Sequence, residues 1–217
     1  MIANLVKKDF LLVKKSIVGF LGISTLLAII LMRKTAQIQG IGMFIFLYMV
    51  ILMELSFMQA VATEEEKSQK ATALLCAAPY PRKSYVIAKY ICYLISYGVC
   101  VAVYSIIAAV YPRLDFLNIA EALVGFLVGT ILYGVYTPVA IKYGITKARL
   151  VFTAAILLMS LGPILTIKVF RSDITLILSF MQNTSGTLVP IILGIAGVGI
   201  FLISMIVSIR IFAKKEL

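Results

Sequence analysis

The chain contains no histidine and no tryptophan, only three cysteines, and only nine acidic residues among 217. Without imidazole there is no Ser/His/Asp arrangement and no His ligand for zinc or haem. No G-x-x-x-x-G-K-[ST] motif occurs, so the chain lacks a P-loop, and any ATP must be handled by another polypeptide. Cys92 and Cys100 lie on one helical run, about 12 Å apart by the helical rise, too far to bridge. With Cys76 they read as packing residues. The stretch "EEKSQK" has the shape of the EExxxR element of intramembrane CAAX-type proteases, but Lys70 stands where Arg belongs and the histidines of that family are missing. The expectation is a non-enzyme without metal or cofactor in this chain.

Charge is scarce as well. Charged residues make up 13% of the chain against 62% hydrophobic ones, and mean hydropathy is +1.09, outside the range of a soluble domain. Six apolar runs stand between polar flanks: Ser16 to Met32, Ile41 to Ala62, Tyr90 to Tyr111, Ala122 to Ile141, Leu150 to Ile167 and Leu188 to Ile209. Each is roughly 17 to 22 residues, which crosses a hydrocarbon core about 30 Å thick at about 1.5 Å per residue. Barrel strands are shorter and alternate, so a β-barrel is rejected. The predicted fold is an all-α membrane protein, a single transmembrane domain over residues 1–217 with six transmembrane helices. The first run follows 15 residues of its own and lacks a small-residue cleavage pattern, so it reads as a span and not a removable signal peptide.

Lys and Arg sort the loops. Fifteen fall in the N-terminal arm, the second and fourth loops and the C-terminus, and five in the other loops. By the positive-inside rule both termini are cytoplasmic. The +11 net charge is then mostly topology, with basic residues at membrane boundaries that also favour anionic membrane lipid, and nucleic-acid binding is unnecessary.

Shorter segments refine this plan. Over residues 1–15, Ile2, Leu5, Val6, Phe10, Leu12 and Val13 share one arc and Lys7, Lys8, Lys14 and Lys15 the opposite one, predicting an interfacial helix. Asp9 falls inside the apolar arc and needs a partner, either a basic residue of another cytoplasmic segment or a neighbour on its own helix. Residues 173–183 are too short to span and suit an outer interfacial or re-entrant helix. Gly162 and Pro163 predict a kink in the fifth span. Gly125-x-x-x-Gly129 permits close helix approach, by packing within the chain or across a dimer. Glu54 is the one residue that ionises well inside a span, on a face with Leu47, Val50, Ile51, Phe57, Met58 and Val61. It marks either a translocation path, with Phe57 and Met58 beside it, or a hydrogen-bonded structural Glu near the cytoplasmic end of its helix.

The longest hydrophilic stretch, residues 63–89, begins with Glu64, Glu65 and Glu66. Thr63 and Glu66 have capping-box spacing, and Ala71, Leu74, Leu75 and Ala78 repeat at helical spacing, predicting a short amphipathic helix that Pro79 and Pro81 end. Arg82 and Lys83 lead back to the third span.

At these residues the chain resembles the integral permeases of ATP-binding-cassette exporters, the class with six spans and no fused ATPase. Members carry an N-terminal Lys-Asp in an interfacial helix, matched by Lys8 and Asp9. They also carry acidic residues at the end of the second span, a Leu-Leu helix, a Pro-x-x-Arg-like element and a Lys at the foot of the third span. Glu64 to Glu66, Leu74 with Leu75, Pro79 with Pro81 and Arg82, and Lys89 stand in those places. The segment "AAPYPRK" departs from the more usual Leu-Pro-x-Ser-Arg. The resemblance implies a permease, as a homodimer or with a sister permease, above two cytoplasmic ABC ATPase subunits that bind ATP and Mg. It also implies that Glu64, Glu65, Glu66, Lys67, Leu74, Leu75, Pro81, Arg82 and Lys83 form an ATPase-coupling element. The small size is similar to phenol-soluble-modulin exporters, which implies efflux of amphipathic or antimicrobial peptides from a bacterial cell. A self-contained channel or ion-coupled carrier using Glu54, and a non-transporting scaffold, are the alternatives; no convincing internal repeat supports a carrier.

Overall fold

The computed structural model describes residues 2–35, 41–67, 82–111, 116–144 and 188–213. Within them the chain forms five helices and no strand: α1 (Ile2–Thr35), α2 (Ile41–Lys67), α3 (Arg82–Val110), α4 (Ile119–Tyr143) and α5 (Leu188–Ala213). Four stretches are long and apolar enough to cross a membrane, Gly42–Glu64, Lys83–Val110, Ile119–Tyr143 and Pro190–Ala213. They match the second, third, fourth and sixth predicted spans. The fifth predicted span with its Gly162–Pro163 kink, and the outer helix at 173–183, lie outside the described residues.

Helix ends differ from the sequence expectation for local reasons. α1 continues unbroken across the predicted boundary between residues 15 and 16, so the arm and the first apolar run form one helix of 34 residues. No proline interrupts it, and Leu11, Leu12, Lys14 and Lys15, just before that boundary, are good helix formers. α2 likewise runs past Ala62 to Lys67. Thr63 is therefore not an N-cap: its hydroxyl donates to the Gln59 carbonyl one turn back at 2.7 Å, as a threonine inside a helix does. Glu64, Glu65 and Glu66 occupy a helix C-terminus, where the macrodipole disfavours carboxylates, and not the N-terminus that the capping-box spacing implied. α3 starts at Arg82, directly after Pro81, eight residues before the predicted span. In α4 the Glu121 carboxylate accepts from the Asn118 backbone N–H at 3.0 Å, and Gly144, with φ 82°, closes the other end through its N–H to the Ala140 carbonyl at 3.1 Å.

α2 and α3 contribute to all three apolar clusters. Ile51, Leu55 and Met58 meet Val86, Tyr90 and Tyr93, together with Tyr133 and Tyr136 of α4 and Phe212 of α5. Phe46, Met49, Val50 and Met53 meet Cys100 and Tyr104 of α3. Leu5, Val6 and Val13 of α1 meet Phe57, Val61, Ala88 and Cys92. α4 packs most extensively on α5, whose outer side exposes Ile191, Ile195, Leu202 and Ile203.

The close approach predicted at Gly125 and Gly129 is made within the chain. A Cβ at Gly125 would run into the ring of Phe46, and one at Gly129 would lie 2.9 Å from the Tyr93 hydroxyl and 3.2 Å from Val50 Cγ1. Without side chains at these two positions α4 sits directly on the α2–α3 pair. Gly125→Val should therefore destabilise the protein by roughly 1–3 kcal/mol, the usual cost of overpacking. Gly199→Ala, where a Cβ meets open space inside α5, should not lower stability and should raise it by up to about 1 kcal/mol through helix propensity. The melting temperature of the purified protein in detergent reads both, and equal values for the two variants would contradict this packing.

Candidate functional site

Asp9 lies on the face of α1 that Leu5, Val6 and Val13 turn into the bundle, and it is 2% exposed. Its two oxygens divide between two lysines: Lys8 Nζ is 3.2 Å from Oδ1, and Lys89 Nζ of α3 is 3.2 Å from Oδ2. Both alternatives left open by the sequence are thus realised, a neighbour on the same helix and a base from a distant segment. The ring of Tyr85 lies 5.8 Å from Lys8 Nζ and 5.1 Å from Lys89 Nζ, within cation–π range, and stacks on Phe212 of α5 at 5.2 Å. The Lys89 carbonyl accepts the Tyr133 hydroxyl of α4 at 2.6 Å. One ion pair thus anchors α1 to the start of α3, and its neighbours extend the junction to α4 and α5. Part of the apolar arc over residues 2–13, Leu5, Val6 and Val13, packs on Phe57 and Val61 of α2 and on Ala88 and Cys92 of α3. Leu12, assigned to the arc by its angle, is instead 43% exposed.

Glu54 stands at the centre of α2, as far from Ile41 as from Lys67, and not near one end. Its Oε1 accepts the Ser96 hydroxyl of α3 at 2.8 Å, with the Tyr93 carbonyl 3.0 Å from the same hydroxyl as a second acceptor. Oε2 is buried and has no hydrogen-bond partner among the described residues. Phe57, 1% exposed, turns toward α1, where its ring lies 5.3 Å from that of Phe10. Met58 joins the cluster of Tyr90, Tyr133 and Phe212. The three candidate path residues are therefore all enclosed by the chain's own helices and face different neighbours.

The candidate coupling residues flank the junction. Glu64 to Lys67 form the end of α2, and Arg82 and Lys83 form the first turn of α3. Leu74, Leu75, Pro79 and Pro81 lie outside the described residues. Lys89, expected at the foot of a span starting at Tyr90, is already inside α3 and 7% exposed.

The tyrosines of α3 escaped the sequence reading. Tyr90 donates to Ser204 Oγ of α5 at 2.6 Å; Ser204 in turn donates to the Gly134 carbonyl of α4 at 3.0 Å; and Ser208 Oγ lies 3.0 Å from the same phenol. Tyr93 donates to the Phe126 carbonyl at 3.1 Å with Thr130 Oγ1 at 3.0 Å, and Tyr97 donates to the Ala122 carbonyl at 2.6 Å. Tyr90, Tyr93 and Tyr97 are spaced i, i+3, i+7, which puts three phenols on adjoining turns of one face. That spacing, with hydroxyls at Ser204 and Ser208 one turn apart, was the available signal.

Removing one partner of a buried ion pair leaves the other charge uncompensated, at a cost of about 3–5 kcal/mol. Asp9→Ala and Lys89→Met should each lower the melting temperature sharply. The double variant should lose much less than the sum of the two, because the pair is then removed together. Strict additivity in this double-mutant cycle would mean that the contact carries no coupling.

No curated protein and no solved structure matches the chain. A family model described as an ABC-2 family transporter protein matches residues 4–213, which takes in all five helices from within the first turn of α1 to the end of α5. Described residues that are all helical, with four stretches long and apolar enough to cross a membrane, and a family match over nearly the whole length make this a membrane transport component: the chain belongs to the ABC-2 transporter family, as a membrane permease subunit of an ABC transporter.

Proposed function

We propose that the chain is the permease of an exporter in a bacterial cell membrane, with both termini cytoplasmic, and that it works as a homodimer or with a sister permease above two cytoplasmic ATPase subunits. Its cargo class is amphipathic or antimicrobial peptides. The observation that carries the coupling part of this reading is the way α2 and α3, the two helices that flank residues 68–81, are joined. They meet directly through Glu54 and Ser96, and α1 braces α3 through Asp9 and Lys89. Closure of ATP-bound ATPases against the intervening segment pushes on the end of α2 and the start of α3 together. α1 and α3, held by that ion pair, then move together, and a permease with two packings responds by shifting α3 against α2.

In this reading Glu54, Phe57 and Met58 line the path when α2 and α3 part. Separation breaks the Ser96 hydrogen bond, worth about 1 kcal/mol net, and parts apolar contacts that α2 and α3 share. It also opens a carboxyl group toward the gap. A peptide with a cationic face would meet that carboxyl midway, while Phe57 and Met58 offer apolar contact. A self-contained carrier using Glu54 is the second reading, favoured by the buried oxygen Oε2 that lacks a hydrogen-bond partner among the described residues.

Two experiments test the proposal in vesicles containing the permease and the ATPase that co-purifies with it. Leu74→Asp combined with Leu75→Asp should release the ATPase during purification and abolish transport while the protein still inserts, since burying one leucine in a partner's groove is worth about 1.5–3 kcal/mol. Co-purification at wild-type stoichiometry with normal transport would remove the coupling role from this segment. Glu54→Gln retains an acceptor for Ser96, so assembly should persist while peptide-stimulated ATP hydrolysis changes. Transport that persists without any ATPase would favour the carrier.

A further inference from the structure

Ser96 carries a single hydroxyl hydrogen but stands within hydrogen-bond reach of two acceptors, Glu54 Oε1 at 2.8 Å and the Tyr93 carbonyl of its own helix at 3.0 Å. Were Glu54 ionised, both acceptors would share that hydrogen, and the buried Oε2, without a hydrogen-bond partner among the described residues, would have none. One added proton resolves the count. The Oε1–H group of Glu54 then donates to Ser96 Oγ, at a distance that suits O–H···O, and Ser96 donates to the carbonyl one turn back, as serines in helices do. Oε2 is left as the carbonyl oxygen of a neutral acid, which is far less costly to bury unpaired than half of a carboxylate. We infer that Glu54 is a proton-binding site: with α2 packed on α3 it is held as the neutral acid, and parting of the two helices passes its proton to water.

The surroundings offer little to hold an anion there. Glu54 is 3% exposed between the buried Val50, Ile51, Met53 and Leu55, and among the described residues no lysine or arginine forms an ion pair with it. The titratable groups that interact with it electrostatically are Cys92, Tyr93, Tyr97 and Cys100 of α3 and Tyr133 of α4, all of them neutral when protonated. On the side of α1 the charges near Cys92 are Lys8, Asp9 and Lys89, and both lysines are taken by Asp9. Lys89 also precedes Ser96 by seven residues, about 10 Å along α3.

The release step rests on the reading above that α2 and α3 part during transport. Water admitted between them takes the proton from Oε1 and solvates the carboxylate, and closure takes one proton back. The anion that a cationic cargo meets in the open path is then made by the opening itself. Because only the closed packing binds this proton, raising the pH favours the parted one.

Infrared spectroscopy of the purified full-length permease tests the site. At neutral pH the spectrum should contain a protonated-carboxyl stretch that shifts on deuteration, disappears in Glu54→Gln and persists in Glu121→Gln. Ser96→Ala, which removes the acceptor, should move that band to higher frequency without abolishing it, and this variant decides the matter if Glu54→Gln does not fold. No such band, or a band indifferent to these substitutions, means an ionised Glu54 and overturns the site. With the co-purified ATPase present, ATP should diminish the band and make Cys100, buried against Met49 and Val50 of α2, reactive toward a thiol reagent. Labelling of Cys100 with an unchanged band would mean that the helices part without releasing the proton, and the inference fails. If neither changes, it is the parting of α2 and α3 that has failed, and the release with it, whereas a missing resting band refutes the proton site by itself.

Discussion

Inside a bilayer every polar group must find its partner within the protein, and apolar side chains have no preference for one another over lipid. Helix association is then governed by close packing and by the few polar contacts that cross between helices. In this chain those contacts converge on α3. Lys89 meets Asp9 of α1, Ser96 meets Glu54 of α2, and Tyr93 and Tyr97 donate to carbonyls of α4. Tyr90 connects through Ser204 to α5 and α4. Every other described helix is tied to α3 by at least one buried polar contact, and α3 is the helix that follows residues 68–81 directly.

This arrangement gives the hydrophilic stretch a mechanical setting. Its two ends are continuations of α2 and α3 and not a separate cap and tail, so there is no slack at the described boundaries. Within one turn of Lys89, Tyr85 contacts both Asp9-bound lysines and Phe212 of α5. The first turns of α3 are therefore in contact with both α1 and α5. The small residues complement the polar ties: Gly125 and Gly129 let α4 approach α2 and α3 closely enough for the Tyr93 hydroxyl to reach the Phe126 carbonyl.

Much of the plan was legible in the residues. Apolar runs locate four of the helices because length and hydropathy alone decide what can cross a membrane. Gly125 and Gly129 signalled close packing because the absence of a side chain has few other uses at that spacing. Asp9 demanded a partner because a carboxylate on an apolar arc is too costly to leave alone. Other readings went astray for identifiable reasons. Thr63 with Glu66 has the spacing of a capping box, but that motif requires the helix to begin there, and no breaker precedes it. On α1, periodicity shows that the helix has an apolar side and not what covers it. The tyrosines went unread because a phenol on an apolar helix looks like a packing residue until its acceptor is known.

Sequence alone determined that this is a membrane protein with no histidine and no P-loop motif, where four of its apolar helices lie, and which polar residues could not stand unpartnered. These follow from hydropathy, residue chemistry and the cost of desolvation, which belong to residues and short windows. Only the tertiary structure decided that Asp9 takes Lys8 and Lys89 together, that Glu54 rests on Ser96 at the centre of its helix, and that α3 is the shared partner of the other four helices. The Glu54–Ser96 and Asp9–Lys89 pairings depend on which helix faces are brought together across separations of more than forty residues in the chain, and periodicity within a helix carries no information about its neighbour.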